Sequence, residues 1–277
     1  MSLFQEQVKF LKKKLKFAAR ENSSHTTLIN IKGYNISSEK HSDNFTVMAG
    51  PCAIESQEQI LTIAKYLSSK NVPILRGGAF KPRTSPYSFQ GLGIKGLEYM
   101  QEAASTYGML SVSEVMDSMD VEVVSNYVDI LQIGARNMQN YSLLKTVGKT
   151  NKPILLKRHF AATYEEFLLA AEYILSHGNP NVILCERGIR TFESLTRNTL
   201  DLAAVPILQQ VTHLPIITDP SHGTGIKEII PAMTVASKAI GANGVIIEVH
   251  SDPENSLSDK EQALSFQEFD YIIKSIL

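Results

Sequence analysis

A first group of candidate functional residues carries positive charge and lies at the ends of short apolar runs. Its members are Arg76, Lys81, Arg83, Arg136, Lys157 and Arg187. Guanidinium and ammonium groups bind phosphate and carboxylate groups well, so clustered cations of this kind favour an anionic ligand. The alternative is that each cation pairs with a neighbouring Asp or Glu. For the set as a whole we expect anion binding.

A second group combines one thiol, one imidazole and two carboxylates: Cys52, His222, Glu248 and Asp259. This donor set suits a divalent metal ion such as Mn, Fe, Co or Zn. A purely structural alternative also exists. Cys52 would then be a small core residue, His222 a hydrogen-bonding loop residue and Asp259 the N-cap of a helix.

The elements that must position both groups follow from the pattern after Phe45, where short apolar runs alternate with amphipathic stretches of helical spacing. The apolar runs cover residues 45–50, 72–78, 109–115, 128–136, 152–158, 181–188, 214–223 and 243–250. Eight strand-plus-helix units predict an α/β fold, a (β/α)8 TIM barrel, over residues 44–277. A doubly wound open sheet is the alternative, but it leaves the eighth unit unexplained.

In such a barrel the carboxyl ends of the strands form one catalytic face, where both groups of residues would meet. The first and eighth strands are neighbours there, so Cys52 can approach Glu248 and Asp259. Glycines also occur at these strand ends, but none completes a GxGxxG or GxxxxGK[ST] motif. We therefore expect no nucleotide cofactor.

Residues 1–43 differ from the barrel in their pattern of apolar and charged residues and are predicted to form a short extension. Apolar residues from Phe4 to Phe17 follow helical spacing between lysines, and residues 27–36 alternate around Gly33 like a hairpin. We expect this helix to be solvated or to pack against another subunit. The alternative is an arm that binds a membrane or nucleic acid.

Composition restricts the class of partner. The 27 basic and 28 acidic residues give a net charge of −1, which provides no general attraction for nucleic acid or anionic membrane. Two cysteines cannot form a disulfide framework, and no signal peptide or membrane span is evident. The sequence therefore predicts a cytoplasmic protein that binds neither nucleic acid nor membrane.

Several longer motifs match a known family. The chain closely resembles 3-deoxy-D-arabino-heptulosonate 7-phosphate (DAHP) synthases of the class I beta type, and the resemblance extends over residues 45–277. The matching segments are AGPCAIES (49–56), RGGAFKPRTSPYSFQGLG (76–93), QIGARNMQN (132–140), LLKR (155–158), ERG (186–188), DPSHGTG (219–225) and EVHSDPENSLSDKEQAL (248–264).

The resemblance implies condensation of phosphoenolpyruvate with erythrose 4-phosphate, the first step of the shikimate pathway to aromatic amino acids. It implies that Cys52, His222, Glu248 and Asp259 are metal ligands. The residues that would hold phosphoenolpyruvate are Arg136, Lys157 and Arg187, with Arg76 nearby and Lys81 between the two substrates. The sugar-phosphate loop corresponds to Arg83, Thr84 and Ser85. Lys81, Lys157 and His222 are the implied catalytic residues, and Lys157 and His222 are both candidates for proton transfer.

Two functional alternatives remain at this stage. Octulosonate (KDO8P) synthases, which use arabinose 5-phosphate, are related, but they typically carry KANRS where this chain has KPRTS (81–85). A non-catalytic phosphosugar-binding barrel would need the cations but not the metal-ligand set. Some relatives carry an N-terminal regulatory domain, for which residues 1–43 are too short, so we expect no built-in allosteric domain. Relatives are commonly tetramers, and we expect a homotetramer or homodimer.

Overall fold

The computed structural model describes residues 2–40, 45–82 and 85–276. Its centre is a closed barrel of eight parallel strands, which confirms the predicted (β/α)8 fold. The barrel strands are β3 (Thr46–Gly50), β4 (Ile74–Arg76), β5 (Leu110–Glu114), β6 (Ile130–Ile133), β7 (Ile154–Lys157), β8 (Val182–Glu186), β9 (Ile216–Thr218) and β10 (Gly244–Glu248). Nearly all of their residues are buried, because helices cover the outside and side chains fill the inside.

The first and last barrel strands close the structure. β3 pairs with β10 in parallel from Thr46 opposite Gly244 to Gly50 opposite Glu248. Gly50 is required at the end of β3, since a Cβ there would lie 2.1 Å from the carbonyl oxygen of Arg76. The carboxyl ends of strands that are remote in sequence therefore lie side by side.

The helices start where the sequence supplies caps. Ser56 caps α2, and Thr163 forms a reciprocal capping box with Glu166 at the start of α6. The helices are α1 (Leu3–Lys14), α2 (Gln57–Ser69), α3 (Ile94–Thr106), α4 (Val121–Tyr127), α5 (Tyr141–Val147), α6 (Tyr164–Leu175), α7 (Ala204–Val211), α8 (Pro220–Thr224), α9 (Ile230–Ala239) and α10 (Phe266–Ile276). Within the described ranges, no helix combines the length and apolar character needed to cross a membrane.

A hairpin closes the end of the barrel opposite the catalytic face. Strands β1 (Leu28–Ile31) and β2 (Tyr34–Ser37) pair antiparallel, and their buried isoleucines join the core inside the barrel. The hairpin also contacts residues that precede or begin strands: Lys32 pairs with Asp129 at 2.7 Å, and the Tyr34 hydroxyl donates to Thr46. The predicted hairpin is thus a plug at the amino ends of the strands.

The segment before the hairpin runs along the outside of the barrel. Helix α1 has a capping box at Ser2 and Gln5 and packs against α7, but buries none of its residues fully. The following chain is held by His213, whose Nε2 lies 2.6 Å from the carbonyl oxygen of Phe17. The same imidazole stacks on His25, with ring centroids 4.1 Å apart.

Candidate active site

Four potential metal ligands meet at the carboxyl end of the barrel. One donor atom each from Cys52, His222, Glu248 and Asp259 lies within 4.8 Å of the others. The Nε2 atom of His222 lies 3.3 Å from Glu248 Oε1 and 3.9 Å from Asp259 Oδ2. The Cys52 sulfur lies 3.1 Å from Asp259 Oδ2. The structure thus brings together the four residues that the sequence singled out.

Each donor is placed by a different element. Cys52 follows β3, Glu248 ends β10, and His222 lies in α8, which begins where Pro220 follows β9. Asp259 lies in the segment after β10 and has a left-handed backbone, with φ at 51°. Its side chain makes no helix-cap hydrogen bond. Asp259 therefore stands at the N-cap position of the turn Lys260–Gln262 without capping it through its side chain.

The imidazole of His222 is oriented by a buried carboxylate. Asp219 Oδ2 lies 2.8 Å from Nδ1 of His222 and 2.6 Å from the Lys157 ammonium. Burial opposes ionisation of Asp219, but His222 and Lys157 hold its pKa well below the usual range. An ionised Asp219 accepts a hydrogen bond from Nδ1–H of His222, which leaves the Nε2 lone pair directed towards the other donors.

The thiol of Cys52 is fully buried beside cations. Burial first, and Glu248 second, raise the pKa of Cys52 to about 12, whereas Lys81 opposes this shift. The Lys81 ammonium lies 2.9 Å from the sulfur and 3.0 Å from the Cys52 carbonyl oxygen. Gly78 makes room for it, because a Cβ there would lie 2.7 Å from the Lys81 side chain. A thiolate at this depth therefore needs positive charge next to it.

This donor set fits a divalent metal ion. Sulfur, imidazole nitrogen and carboxylate oxygens are ligands of borderline ions such as Mn, Fe, Co and Zn. Three of the donors also have polar partners behind them: Asp219 behind His222, Arg76 behind Glu248 and Lys81 beside Cys52. Such outer partners are characteristic of metal sites.

A cavity of about 230 Å³ opens above the donors. Among the predicted site residues, the following line it: Arg76, Lys81, Arg136, Lys157, Arg187, His222 and Asp259. Cys52 and Glu248 lie beneath it and are almost fully buried. The cations and the metal-ligand set therefore belong to one site.

The cations divide into paired and unpaired groups. Arg76 contacts Glu248 at 2.7 Å and Lys157 contacts Asp219 at 2.6 Å, as the ion-pair alternative predicted for single residues. Arg136 and Arg187, in contrast, form no salt bridge within the described part of the chain. Arg187 is buried, which lowers its pKa, and a buried cation without a partner is unfavourable. An anion in the cavity would compensate for it.

Arg76 has a second feature that points to a ligand. Its Nε atom is buried and has no hydrogen-bond partner among the described residues. Buried donors in proteins are normally satisfied, so this one is available to a bound oxygen atom.

The sugar-phosphate loop is only partly described. Arg83 and Thr84 lie outside the described residues. Ser85 is exposed and does not line the cavity. The roles that the resemblance implies for these three residues therefore remain predictions.

Sequence reasoning left several residues out of the site, among them four that make polar or charged contacts there. Arg190 lines the cavity, stacks its guanidinium 4.1 Å from the Phe160 ring centroid and has no salt bridge among the described residues. Asp219, Arg197 and Gln262 contact the metal-ligand set. Arg190 lies close after the ERG motif, and this position was the only available signal for it.

One charged group at the strand ends is structural. Arg158 donates to Glu186 at 2.8 Å and to Asp201 at 2.9 Å, and also to the carbonyl oxygen of Ala162. These contacts join β7, β8 and the segment before α7. Arg158 and Glu186 therefore support the site without lining its cavity.

Comparisons with known proteins agree with this arrangement. Residues 29–276 match the model of the DAHP synthetase I family. A phospho-2-dehydro-3-deoxyheptonate aldolase from Thermotoga maritima is 51% identical over 264 residues, which cover 95% of this chain and 77% of the relative. A 2-dehydro-3-deoxyphosphooctonate aldolase from Nitrobacter hamburgensis is 32% identical, covering 84% of this chain and 86% of the relative.

Solved structures give the same result. The crystal structure of the Thermotoga maritima DAHP synthase matches with a TM-score of 0.90 and 51% identity, over 94% of this chain and 75% of that one. A truncated form of the enzyme from the same organism matches with a TM-score of 0.85 and 47% identity, over 93% of each chain. The chain belongs to the DAHP synthetase I family.

Proposed function

We propose that this protein condenses phosphoenolpyruvate with erythrose 4-phosphate to give DAHP and inorganic phosphate, the first step of the shikimate pathway. The observation that carries the proposal is that the four-donor cluster adjoins a cavity lined by two of its members and by several cations. A reaction between an anionic enol phosphate and an aldehyde uses both. A barrel that only bound phosphosugars would have no use for the donor cluster.

Cys52, His222, Glu248 and Asp259 would hold the divalent metal ion. When bound, an ion of this kind acts as a Lewis acid that polarises the aldehyde of erythrose 4-phosphate. Lys81 lies against the thiol and lines the cavity, which supports assigning its ammonium to the space between the two substrates.

The cations have the chemistry to hold phosphoenolpyruvate. Arg136 and Arg187 are unpaired in the described chain and offer guanidinium groups to its phosphate and carboxylate. Arg190 adds a third guanidinium at the same cavity. Fixing both ends of the substrate brings its C3 towards the aldehyde and stabilises charge that develops during addition.

Proton movement is assigned to the group of Lys157, Asp219 and His222. Asp219 accepts hydrogen bonds from both Lys157 and His222 through the same oxygen. C3 of phosphoenolpyruvate adds to the aldehyde, water adds at C2, and phosphate then leaves by C–O cleavage. Lys157 lines the cavity and can exchange a proton there, while Asp219 holds its side chain in place.

The choice of erythrose 4-phosphate over arabinose 5-phosphate rests on sequence. The segment KPRTS (81–85) follows the heptulosonate pattern, and the heptonate aldolase of Thermotoga maritima is 51% identical, against 32% for the octonate aldolase of Nitrobacter hamburgensis.

A phosphate-release assay tests the proposal. The protein is given phosphoenolpyruvate with erythrose 4-phosphate or with arabinose 5-phosphate, each with and without a chelator. We expect rapid release with erythrose 4-phosphate that stops on chelation and returns with Mn(II). Faster turnover of arabinose 5-phosphate would make the protein an octulosonate synthase. Binding of both substrates without phosphate release would make it a binding protein.

The proposal extends to assembly and compartment. Phe4, Phe10 and Phe17 are large apolar side chains exposed on the N-terminal segment, which supports a homodimer or homotetramer. Light scattering at micromolar concentration tests this, and a monomer would contradict it. Both cysteines are buried free thiols, in keeping with a cytoplasmic enzyme.

A further inference from the structure

Polar side-chain contacts connect the loop after β8 to two of the metal-site carboxylates. Gln262 lies in a short helical turn just after Asp259 and is only 2% exposed. Its Nε2 donates to Glu248 Oε2 at 2.6 Å, and its Oε1 accepts from Arg197 Nη1 at 2.9 Å. A carboxylate can only accept and a guanidinium can only donate, so these two partners fix the orientation of the amide.

Arg197 also reaches a metal-site carboxylate directly. Its Nη1 atom lies 3.7 Å from Asp259 Oδ1. The backbone of Arg197 is held in place because its N–H donates to the carbonyl oxygen of Thr224 at 2.8 Å. Gly225 permits this approach, since a Cβ at its left-handed position would lie 2.6 Å from Arg197 Cβ.

Asn198, the next residue of the loop, contacts the backbone of a third metal-ligand residue. Asn198 donates from Nδ2 to the carbonyl oxygen of His222 at 3.1 Å. The same loop begins with Arg187 and includes Arg190, both of which line the cavity. One loop therefore supplies cations for the anion and supports for the metal-site residues.

The carboxylate of Glu248 is held from two sides. Arg76 donates to Oε1 at 2.7 Å and Gln262 donates to Oε2. Arg76 belongs to the predicted substrate site, whereas Gln262 does not line the cavity. Gln262 can thus affect substrates only through Glu248, Asp259 and Arg197.

We propose that Gln262 and Arg197 are positioning residues that hold Glu248 and Asp259 in the arrangement that binds the metal ion. This inference rests on the metal site of the proposed function. Losing such outer partners typically weakens metal affinity about 10- to 100-fold. Gln262 does not line the cavity, whereas Arg197 does, so the KM for phosphoenolpyruvate at saturating metal should stay unchanged in a Gln262 variant.

The test measures binding of Mn(II) to the metal-free full-length protein by electron paramagnetic resonance of free Mn(II). Gln262→Met keeps the length of the side chain but removes both hydrogen bonds. We expect its Kd for Mn(II) to rise about 10- to 100-fold, with kcat recovering at saturating Mn(II). Gln209→Met is the matched control, since Gln209 is also buried but donates to the carbonyl oxygen of Gly241, away from the site. Its Kd should equal that of the wild type.

Arg197→Met provides a second test on a partly exposed side chain, in case Gln262→Met does not fold. Its Kd for Mn(II) should rise, and Arg197→Lys should restore part of the loss. Unchanged Kd values in Gln262→Met and Arg197→Met, with a wild type that binds Mn(II), would overturn this inference alone. A wild type that binds no Mn(II) would overturn the proposed metal site, and the inference with it.

Discussion

The buried thiol of Cys52 shows how one residue is prepared for a single role. Burial, followed by Glu248, raises its pKa to about 12 even with Lys81 nearby, so without a metal ion the thiol is protonated and unreactive at neutral pH. Lys81 is close enough to stabilise a thiolate, and three further donors face the sulfur region. Cys185, the other cysteine, is equally buried but lies within β8, and its pKa is also raised by burial. Only the surroundings distinguish a ligand from a core residue.

Replacing each cysteine by alanine tests this distinction. Cys52→Ala should lower activity by more than about 100-fold, because losing a direct ligand exceeds the usual effect of losing an outer partner. Cys185→Ala should retain activity and lose only stability. The measurement is phosphate release before and after EDTA treatment and Mn(II) addition. Full wild-type activity after exhaustive EDTA treatment would contradict the metal requirement.

Arg190 is the second residue whose role can be tested singly. Its guanidinium lies over Phe160 at the cavity and is unpaired in the described chain. Arg190→Met should raise the KM for phosphoenolpyruvate about 10- to 100-fold, because losing a charge-assisted hydrogen bond typically weakens binding by this factor. Lys95→Met, which removes an exposed cation paired with Glu98 on α3, is the control. Equal KM values in the two variants would exclude a substrate contact.

The sequence predicts some of these residues better than others. Arg76 and Glu248 could be predicted because they end buried strands, where the fold forces side chains towards the mouth. Gln262 and Arg197 could not, since their roles depend on how two irregular segments return to the site. The left-handed backbone of Asp259 was equally hidden, because asparagine and aspartate adopt it only occasionally.

Among the elements, the β1–β2 hairpin shows how the barrel core is completed. Ile29, Ile31 and Ile36 are buried against residues inside the barrel, whereas Leu28 on the same hairpin is exposed. The hairpin therefore supplies apolar side chains to a core that the strands alone leave open at one end. It lies opposite the active site.

Ile36→Ala should destabilise the fold without changing catalysis. We expect the free energy of unfolding to fall by about 2–5 kcal/mol, the cost of a cavity left by a deleted buried side chain. Leu28→Ala is the matched control and should cost far less, because Leu28 is already exposed to solvent. Denaturant titration measures both. A KM or Mn(II) affinity altered in folded Ile36→Ala would contradict the separation of plug and active site.

The segment before the hairpin should respond to acid through His213. Burial lowers the pKa of His213 below 6.5; the Phe17 carbonyl and Glu172 oppose this shift, and His25 and Arg20 add to it. The unfolded chain therefore takes up the proton at higher pH than the folded one. The stability that neutral His213 contributes is present above about pH 6.5 and is lost as pH falls through the lowered pKa.

His213→Gln tests this pH dependence. The wild-type Tm should fall between pH 7.5 and 5, and the variant should show a smaller fall over the same range. Thermal unfolding followed by circular dichroism measures both slopes. Parallel slopes would show that His213 does not carry the effect.

At the scale of the whole molecule, the barrel was predictable because strands buried on both faces read as continuous apolar runs. The first and last residues of the individual strands were less predictable. The run at 214–223 contains only Ile216–Thr218 as strand, because Pro220 starts a helix directly after Asp219. Ion pairing was an open alternative for each cation of the mouth, and the fold realises it for Arg76 and Lys157 but for neither Arg136 nor Arg187 within the described residues. Sequence order does not determine which carboxylates fold beside them.

Metal binding should stabilise the whole barrel, since the four donors come together only in the folded state. At an Mn(II) concentration about 100 times the Kd, the gain is about 2.7 kcal/mol. We expect a higher Tm for the wild type with Mn(II) and no shift for Cys52→Ala. Differential scanning calorimetry of EDTA-treated protein measures this, and an equal shift in both proteins would place the ion elsewhere.

The pairing of β3 with β10 has a consequence for biosynthesis. Cys52 is translated early, but Glu248 and Asp259 emerge from the ribosome only near the end of the chain. A nascent chain therefore exposes its cysteine long before the partners of that cysteine exist, and the ion cannot guide the folding of the earlier strands. All four donors can therefore bind the ion together only after β10 and the segment that follows it have been made.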